Sequence, residues 1–164
     1  MAADPLETAW KLHSAISDWT GKADVKASFA LTLQSTILAV LGVLAGSSQG
    51  TKGLGSGAAR PLLWMGVVFL ACGACCAAAA ISPNLRKERR SLEAGEDFLF
   101  FGHVRTWEPA NLESALREKD PLPALSRQLV VMSEIAWTKH RRVQWSLLLA
   151  VPGVVALSLA AALR

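Results

Sequence analysis

The chain has 164 residues, of which 52% are hydrophobic and 18% charged, and its formal net charge is +4. This balance favours a membrane protein over a soluble domain. The positive charge is weak evidence for nucleic-acid binding, because the Lys and Arg residues cluster beside apolar segments, where they serve as membrane flanks. We therefore expect no nucleic-acid partner.

Three apolar runs without a charged residue dominate the chain, at residues 27–51, 62–85 and 143–163. Each is longer than the roughly 20 residues that a helix needs to cross a bilayer. We predict an all-α integral membrane protein with three transmembrane helices and a small helical cytoplasmic domain between the second and the third. The predicted segments are a cytoplasmic N-terminal amphipathic helix (1–26), a transmembrane helix (27–46), an external Gly/Ser-rich loop (47–61), a transmembrane helix (62–82), a cytoplasmic helical sensor region (83–142) and a transmembrane helix (143–163).

The distribution of Lys and Arg predicts the orientation. Three of these residues precede the first span, two lie in residues 46–61, eleven lie in residues 82–144, and the last is Arg164. The positive-inside rule then places residues 82–144 and the N-terminus in the cytoplasm. We expect a multi-pass protein of the inner, cytoplasmic membrane, and its first span replaces a cleavable signal.

The N-terminal segment has the pattern of a capped amphipathic helix. Asp4 is suited to cap it and Pro5 to occupy its first position, while Thr20 and Gly21 form a plausible stop. Its apolar residues recur at helical spacing. They would lie on the membrane surface or pack on the cytoplasmic domain, and the few basic residues on this face favour packing.

The region between the second and third spans divides into four pieces. Its size is small for an independent core, so a helical bundle continuous with the membrane helices is the expected solution. Proline 152 is expected to kink the third span. In order, we predict a charged helix (82–97), a short apolar cluster in a buried turn or strand (98–104), a short helix (109–119), and a long helix that opens at Asp120 and Pro121 and continues into the third span.

Neither a catalytic motif nor a metal-binding motif is found, so we expect no enzyme, no metal and no resident cofactor. Cys72, Cys75 and Cys76 all lie in the second span, where small residues let helices approach closely. A soft-metal site at these thiols is the less favoured alternative, because no His or Met completes a ligand set nearby.

No Asp, Glu, Lys or Arg lies within the predicted bilayer cores, which disfavours an ion-coupled transporter. Three spans do not easily enclose a pore, so a channel would have to be oligomeric, with Gly42 and Gly46 as candidate contacts. Asp24 and Lys26 lie at the inner boundary of the first span, where Asp24 can pair with Lys139 or Arg141. Ordinary interfacial anchoring is the alternative for these charges.

Three motifs in order carry a resemblance to a known family. They are WTGKADVKAS at residues 19–28, FFGH at residues 100–103 and SEIAWTK at residues 133–139. Together they resemble the small membrane effectors of Pycsar anti-phage systems, the PycTM type, over most of the chain.

The resemblance implies a function that the composition and periodicity do not reveal. In that family a partner pyrimidine cyclase makes a cyclic pyrimidine mononucleotide, cUMP or cCMP, on infection. The effector responds to this activating ligand, membrane integrity fails, and the infection is abortive. We also expect a homo-oligomer. A membrane anchor that recruits a soluble partner, or a small oligomeric channel or transporter, remains the alternative.

The chemistry of such a ligand indicates candidate binding residues. A cyclic mononucleotide carries one negative phosphate and a flat base, which Arg, Lys and aromatic side chains bind. The candidates for nucleotide binding are His103, Arg105, Arg141 and Arg142. The phenylalanines beside His103 are better explained as bundle core. Candidates for coupling the ligand to the spans are Asp24, Lys26 and Lys139.

Overall fold

A computed structural model describes residues 4–46, 59–82, 104 and 107–163. Across these residues the regular structure is α-helix throughout, as the sequence predicts. The four helices are α1 (Pro5–Gly46), α2 (Ala59–Ile81), α3 (Pro109–Glu118) and α4 (Leu122–Ala162). Apart from Ser82 and Val104, the predicted charged helix at 82–97 and the predicted apolar cluster at 98–104 lie outside the described residues.

The start of α1 follows the predicted capping pattern. The Asp4 carboxylate accepts a hydrogen bond from the Leu6 backbone N–H at 3.1 Å, and Pro5 fills the first helical position, where no N–H partner is needed. Glu7 pairs with Lys11 one turn later, at 2.6 Å on the exposed surface.

The predicted stop at Thr20 and Gly21 is wrong, because α1 continues without a break to Gly46. A glycine within a helix costs only about 1 kcal/mol relative to alanine, which packing on either side readily outweighs. Ile16 is buried before the glycine, and Ala23 and Ala27 are buried after it. The helix is therefore maintained by contacts of its buried face.

The helices at the other predicted positions begin and end close to their expected residues. The Asp120 carboxylate accepts a hydrogen bond from the Leu122 N–H at 3.0 Å, and α4 then runs unbroken into the third apolar run and past Pro152 to Ala162. Helix α2 begins three residues before the predicted span, at Ala59, with Pro61 in its first turn. Helix α3 begins at Pro109 and ends at Glu118.

The chain divides into two compact units. Unit 1 comprises residues 1–21 and 83–137, and unit 2 comprises residues 22–82 and 138–164. Helices α1 and α4 contribute residues to both.

In unit 1 the start of α1 packs on the first half of α4, which is the packing that the sequence favours. Ala9 and Ile16 form one buried cluster with Leu125, Leu129 and Ala136. Trp10, Leu12 and Trp19 belong to the predicted apolar face, but their side chains are exposed and do not join this buried cluster.

Helix α3 packs beside the start of α4 in the same unit. Ala115 of α3 and Ala124 of α4 are both buried, and Trp107 and Leu112 pack against them. Small residues at the centre of this contact let the short helix approach the long one closely.

The described residues contain three helices that are long and apolar enough to cross a membrane, α1, α2 and α4, and their apolar runs lie in unit 2. Most residues of their apolar segments are not buried within the protein, and the exposed ones include Phe29, Val43, Val68 and Val151. A face of this kind is unfavourable in water and suits the hydrocarbon of a bilayer.

Candidate functional site

The most specific contact between membrane helices in unit 2 is an ion pair. The Lys139 ammonium of α4 lies 2.7 Å and 2.8 Å from the two carboxylate oxygens of Asp24 in α1. The lysine side chain is 15% exposed and the aspartate side chain 38%. Of the two partners that the sequence allows for Asp24, the structure therefore selects Lys139. Partial burial strengthens such a pair relative to one on an open surface.

A second basic residue of α4 reaches the end of α2. Arg142 follows Lys139 by three residues, so the two side chains leave neighbouring positions on the helix. Its guanidinium donates a hydrogen bond to the Ala79 carbonyl oxygen in the last turn of α2. Carbonyls in the last turn lack partners within their own helix and form the negative end of the helix dipole, which a cation stabilises.

Asp24, Lys139 and Arg142 together form what we call the charged end of unit 2. Directly beside it, Ala27 of α1 and Ala80 of α2 pack with Val143 of α4, and Ile81 covers this cluster. Alanine side chains at the centre bring the three helices close together, so that the charged side chains can reach their partners.

Further along the same helices lies a buried polar contact that the sequence analysis missed. The Gln34 amide nitrogen of α1 donates to the backbone oxygen and the hydroxyl oxygen of Ser146 in α4, each at 3.2 Å. Gly73 of α2 completes this group, which we call the amide layer: a Cβ atom on it would lie within 3.2 Å of both polar ends of the Gln34 side chain. The available signal was the amide itself, because strongly polar side chains in spans are rare.

Beyond the amide layer the contacts become apolar and very close. A Cβ atom on Gly66 of α2 would lie 2.9 Å from the backbone oxygen of Gly153 in α4, and one on Gly153 would lie 3.0 Å from Leu70. The prediction that small residues let the second span approach its neighbours is confirmed at Gly73 and Ala80, and Gly66 is a further such residue that the sequence analysis did not name. The exposed Cys72 and Cys75 take no part in it.

These contacts also fix the helix directions within unit 2. Residues 24, 27 and 34 of α1 meet residues 139, 143 and 146 of α4 in the same order. Residues of α2 meet the same partners in the reverse order, with Ala80 at the charged end and Gly66 far from it. Helices α1 and α4 are therefore parallel, and α2 is antiparallel to both.

The other predicted site residues fall in different places. Lys26 and Arg141 are exposed, and Arg142 lies against α2 as described. His103 and Arg105 lie outside the described residues. Binding of a nucleotide by His103, Arg105, Arg141 and Arg142 stays a prediction, as does coupling through Lys26.

The described residues contain no group of three or more His, Cys, Asp or Glu side chains that would hold a metal ion. Chemically, the site that the structure does build is an ion pair and hydrogen bonds between separate helices. Its energy depends on the positions of α1, α2 and α4, so movement of one helix would break it. Such contacts suit a conformational switch.

Comparison with known proteins identifies the family of this chain. No significant match to a curated protein or to a solved structure was found. A family model described as "PycTM: Pycsar effector protein domain" matches residues 8–164, which includes the charged end, the amide layer and, apart from the first three residues of α1, the four described helices. By this match over nearly its whole length, the chain belongs to the PycTM family of Pycsar effector proteins.

Proposed function

We propose that this protein is the membrane effector of a Pycsar anti-phage defence system that is activated by a cyclic pyrimidine mononucleotide, cUMP or cCMP. A partner pyrimidine cyclase makes the ligand during infection. The activated effector impairs the integrity of the inner membrane, and the infection becomes abortive. The protein acts without catalysis and needs no resident cofactor.

The observation that carries this proposal is the family match, which extends across three helices able to span a membrane. A Pycsar effector with three helices able to span a membrane has the bilayer as its most direct target. The chemistry of the charged end supports a role in switching rather than in anchoring alone, because Asp24 and Lys139 pair with each other across two helices.

The resting state is held by two contacts that share one helix. Lys139 binds α1 through Asp24, and Arg142 binds α2 through the Ala79 carbonyl. Since both basic residues belong to α4, one displacement of that helix would release both of its neighbours. Ligand binding in the region 83–142 is proposed to shift α4 from Pro121 onward and thereby to reorder the spans.

Recognition of the ligand is assigned to basic residues of that region. The cyclic phosphate is an anion, and the candidates to bind it are His103, Arg105, Arg141 and Arg142. A guanidinium has five N–H donors. The contact of Arg142 with Ala79 therefore leaves donors for a phosphate. The N-terminus and the region 83–142 are cytoplasmic in this proposal, where the cyclase product is formed, and the active species is a homo-oligomer.

The test is membrane depolarisation in cells that express the full-length protein. The cells also express a cyclase that makes cUMP, cCMP or cAMP in the cytoplasm, where the proposed binding region lies, and a potential-sensitive dye is followed. We expect depolarisation with one cyclic pyrimidine nucleotide and none with cAMP. An Arg105→Ala and Arg141→Ala double variant should lose the response, whereas an Arg117→Ala variant, altered in an exposed ion pair, should keep it.

The opposite results would change the assignment. Depolarisation that needs no nucleotide would favour an oligomeric channel. No depolarisation with any nucleotide, in cells where the protein is present in the membrane, would contradict the effector proposal and favour a membrane anchor for a soluble partner.

A further inference from the structure

The amide layer contains a polar atom that the closed arrangement leaves unpaired. Gln34 is 3% exposed and its partner Ser146 is fully buried. The amide nitrogen makes two hydrogen bonds to Ser146. The amide oxygen is buried as well, and it has no hydrogen-bond partner among the described residues.

The position of this atom makes the missing partner significant. Gln34 follows Asp24 by ten residues, which corresponds to about 15 Å along the helix. At that depth hydrocarbon surrounds the helices, so water cannot reach the amide oxygen from the lipid side. On the protein side, the apolar contacts of Gly66, Leu70 and Gly153 close the packing beyond it.

A buried amide oxygen without a partner is unfavourable, and the penalty disappears when water reaches it. The penalty therefore applies to the dry arrangement of the spans and not to a hydrated one. A chain selected only for tight packing would carry an apolar residue here, since Gly73 already provides the space that the side chain occupies.

We propose that Gln34 is the residue at which water enters the three-helix unit when its helices separate, and that its half-paired amide lowers the barrier to that separation. The inference rests on the proposed membrane-impairing function and deepens it, by assigning the opening to the interior face of α1. Gln34 is a positioning residue here: it sets how readily the spans part, and it binds no nucleotide.

A purely structural role predicts the opposite effect. If Gln34 served only to hold α1 and α4 together, its removal would loosen the spans and increase leakage. If its unpaired oxygen favours opening, removal of the amide should decrease leakage. Gln34→Met is the suitable change, because methionine keeps the unbranched shape without the amide.

The Met substitution leaves no new unpaired group. The Ser146 hydroxyl can donate to the carbonyl oxygen four residues earlier, as Ser28, Thr32 and Thr36 do in α1. Leu70→Met provides the matched control, since it also introduces a methionine into the buried interior but removes no polar group.

The experiment measures thallium influx into vesicles of phosphatidylethanolamine and phosphatidylglycerol that contain the full-length protein and an internal quenchable dye. No nucleotide is added, and Lys139→Ala opens the charged end in every sample. Compared with the protein that keeps Gln34, Gln34→Met should slow the thallium influx about five- to tenfold, because the penalty of the unpaired oxygen is removed. Gln34→Glu should accelerate it by at least as much, since a buried carboxylate requires water. Leu70→Met should leave it unchanged.

Two results would overturn the inference. Faster influx in Gln34→Met would show that the amide holds the helices together, and equal influx in the Met, Gln and Glu proteins would show that the site stays dry. Because nucleotide is absent, these outcomes are separate from the proposed trigger. The inference can fail while cUMP or cCMP still depolarises cells, and it can hold when neither does.

A second measurement protects the test against variants that fold poorly. In a protein whose Cys72, Cys75 and Cys76 are replaced by alanine, Ser146→Cys keeps the Gln34 amide in place and reports access of a small, charged thiosulfonate reagent to the amide layer. We expect no reaction with the closed protein and reaction once Lys139→Ala is added. Reaction in the closed protein, or protection in both, would contradict the inference.

Discussion

At the scale of single residues, burial distinguishes the ion pairs of this protein from one another. Lys139 and Asp24 are 115 positions apart in sequence and join two helices, and the lysine is largely shielded from water. Arg117 and Glu113 lie one turn apart on α3 and are mostly exposed. Exposed pairs contribute at most about 1 kcal/mol, whereas loss of one partner from a shielded pair leaves a charge without compensation.

We therefore expect Lys139→Ala to lower the free energy of unfolding by about 1–3 kcal/mol, below the range for fully buried pairs because Asp24 stays partly hydrated. Arg117→Ala, the control, should lower it by about 0.5 kcal/mol or less. Thermal unfolding in detergent micelles measures both, and Asp24→Ala combined with Lys139→Ala completes a double-mutant cycle. Equal losses of unfolding free energy in Lys139→Ala and Arg117→Ala would show that the charged end contributes little to stability.

At the scale of elements, the glycines of α1 and α2 differ in whether they lie against another helix. Gly66 of α2 lies against α4, where a Cβ atom would approach the Gly153 backbone oxygen to 2.9 Å. Gly42 and Gly46 of α1 have nothing within 4 Å of the same ideal position. One glycine is thus required by helix contact, while the other two leave an open face whose assignment to oligomer contacts stays a prediction.

Substitution by alanine should distinguish the glycine that contacts α4 from a glycine on the open face of α1. Gly66→Ala requires a shift of the α4 backbone, so it should destabilise the protein by about 1–3 kcal/mol. Gly42→Ala should be neutral or stabilise it by up to about 1 kcal/mol through helix propensity. Thermal unfolding of the two variants in the same detergent provides the comparison, and a Gly66→Ala protein as stable as Gly42→Ala would contradict the close approach of α2 and α4.

At the scale of the whole molecule, the lengths of the helices carry the functional argument. Helices α1 and α4 have 42 and 41 residues. At 1.5 Å per residue each is about 60 Å long, which is twice the thickness of the bilayer hydrocarbon. Each therefore has one part suited to lipid and another suited to water, and the charges of the second part predict its cytoplasmic location.

The orientation can be tested by cysteine labelling in the protein whose native cysteines are replaced by alanine. In intact spheroplasts, an impermeant maleimide should label Gln49→Cys in the predicted external segment 47–61 and should not label Glu118→Cys at the end of α3. Both should react after the membrane is permeabilised. Labelling of Glu118→Cys in intact spheroplasts would reverse the proposed topology.

The sequence by itself determined the features that depend on neighbouring residues. Apolar runs, capping residues and helical periodicity are local, so they predicted the all-α class, the three membrane helices and the starts of α1, α3 and α4. The prediction failed at Gly21, where local helix-breaking tendency was overruled by packing along the same helix. The family was also recognisable from short motifs along the chain.

Only the tertiary structure decided which distant residues meet. Of its two candidate partners, Asp24 pairs with Lys139. Arg142 binds the end of α2, and Gln34 binds Ser146, which is 112 positions away in sequence. Such contacts depend on how each helix is rotated about its axis and how closely glycine and alanine let it approach its neighbours. One chain's periodicity specifies an apolar face but not the side chain that will lie opposite it, so the charged end and the amide layer emerge only when the helices are packed.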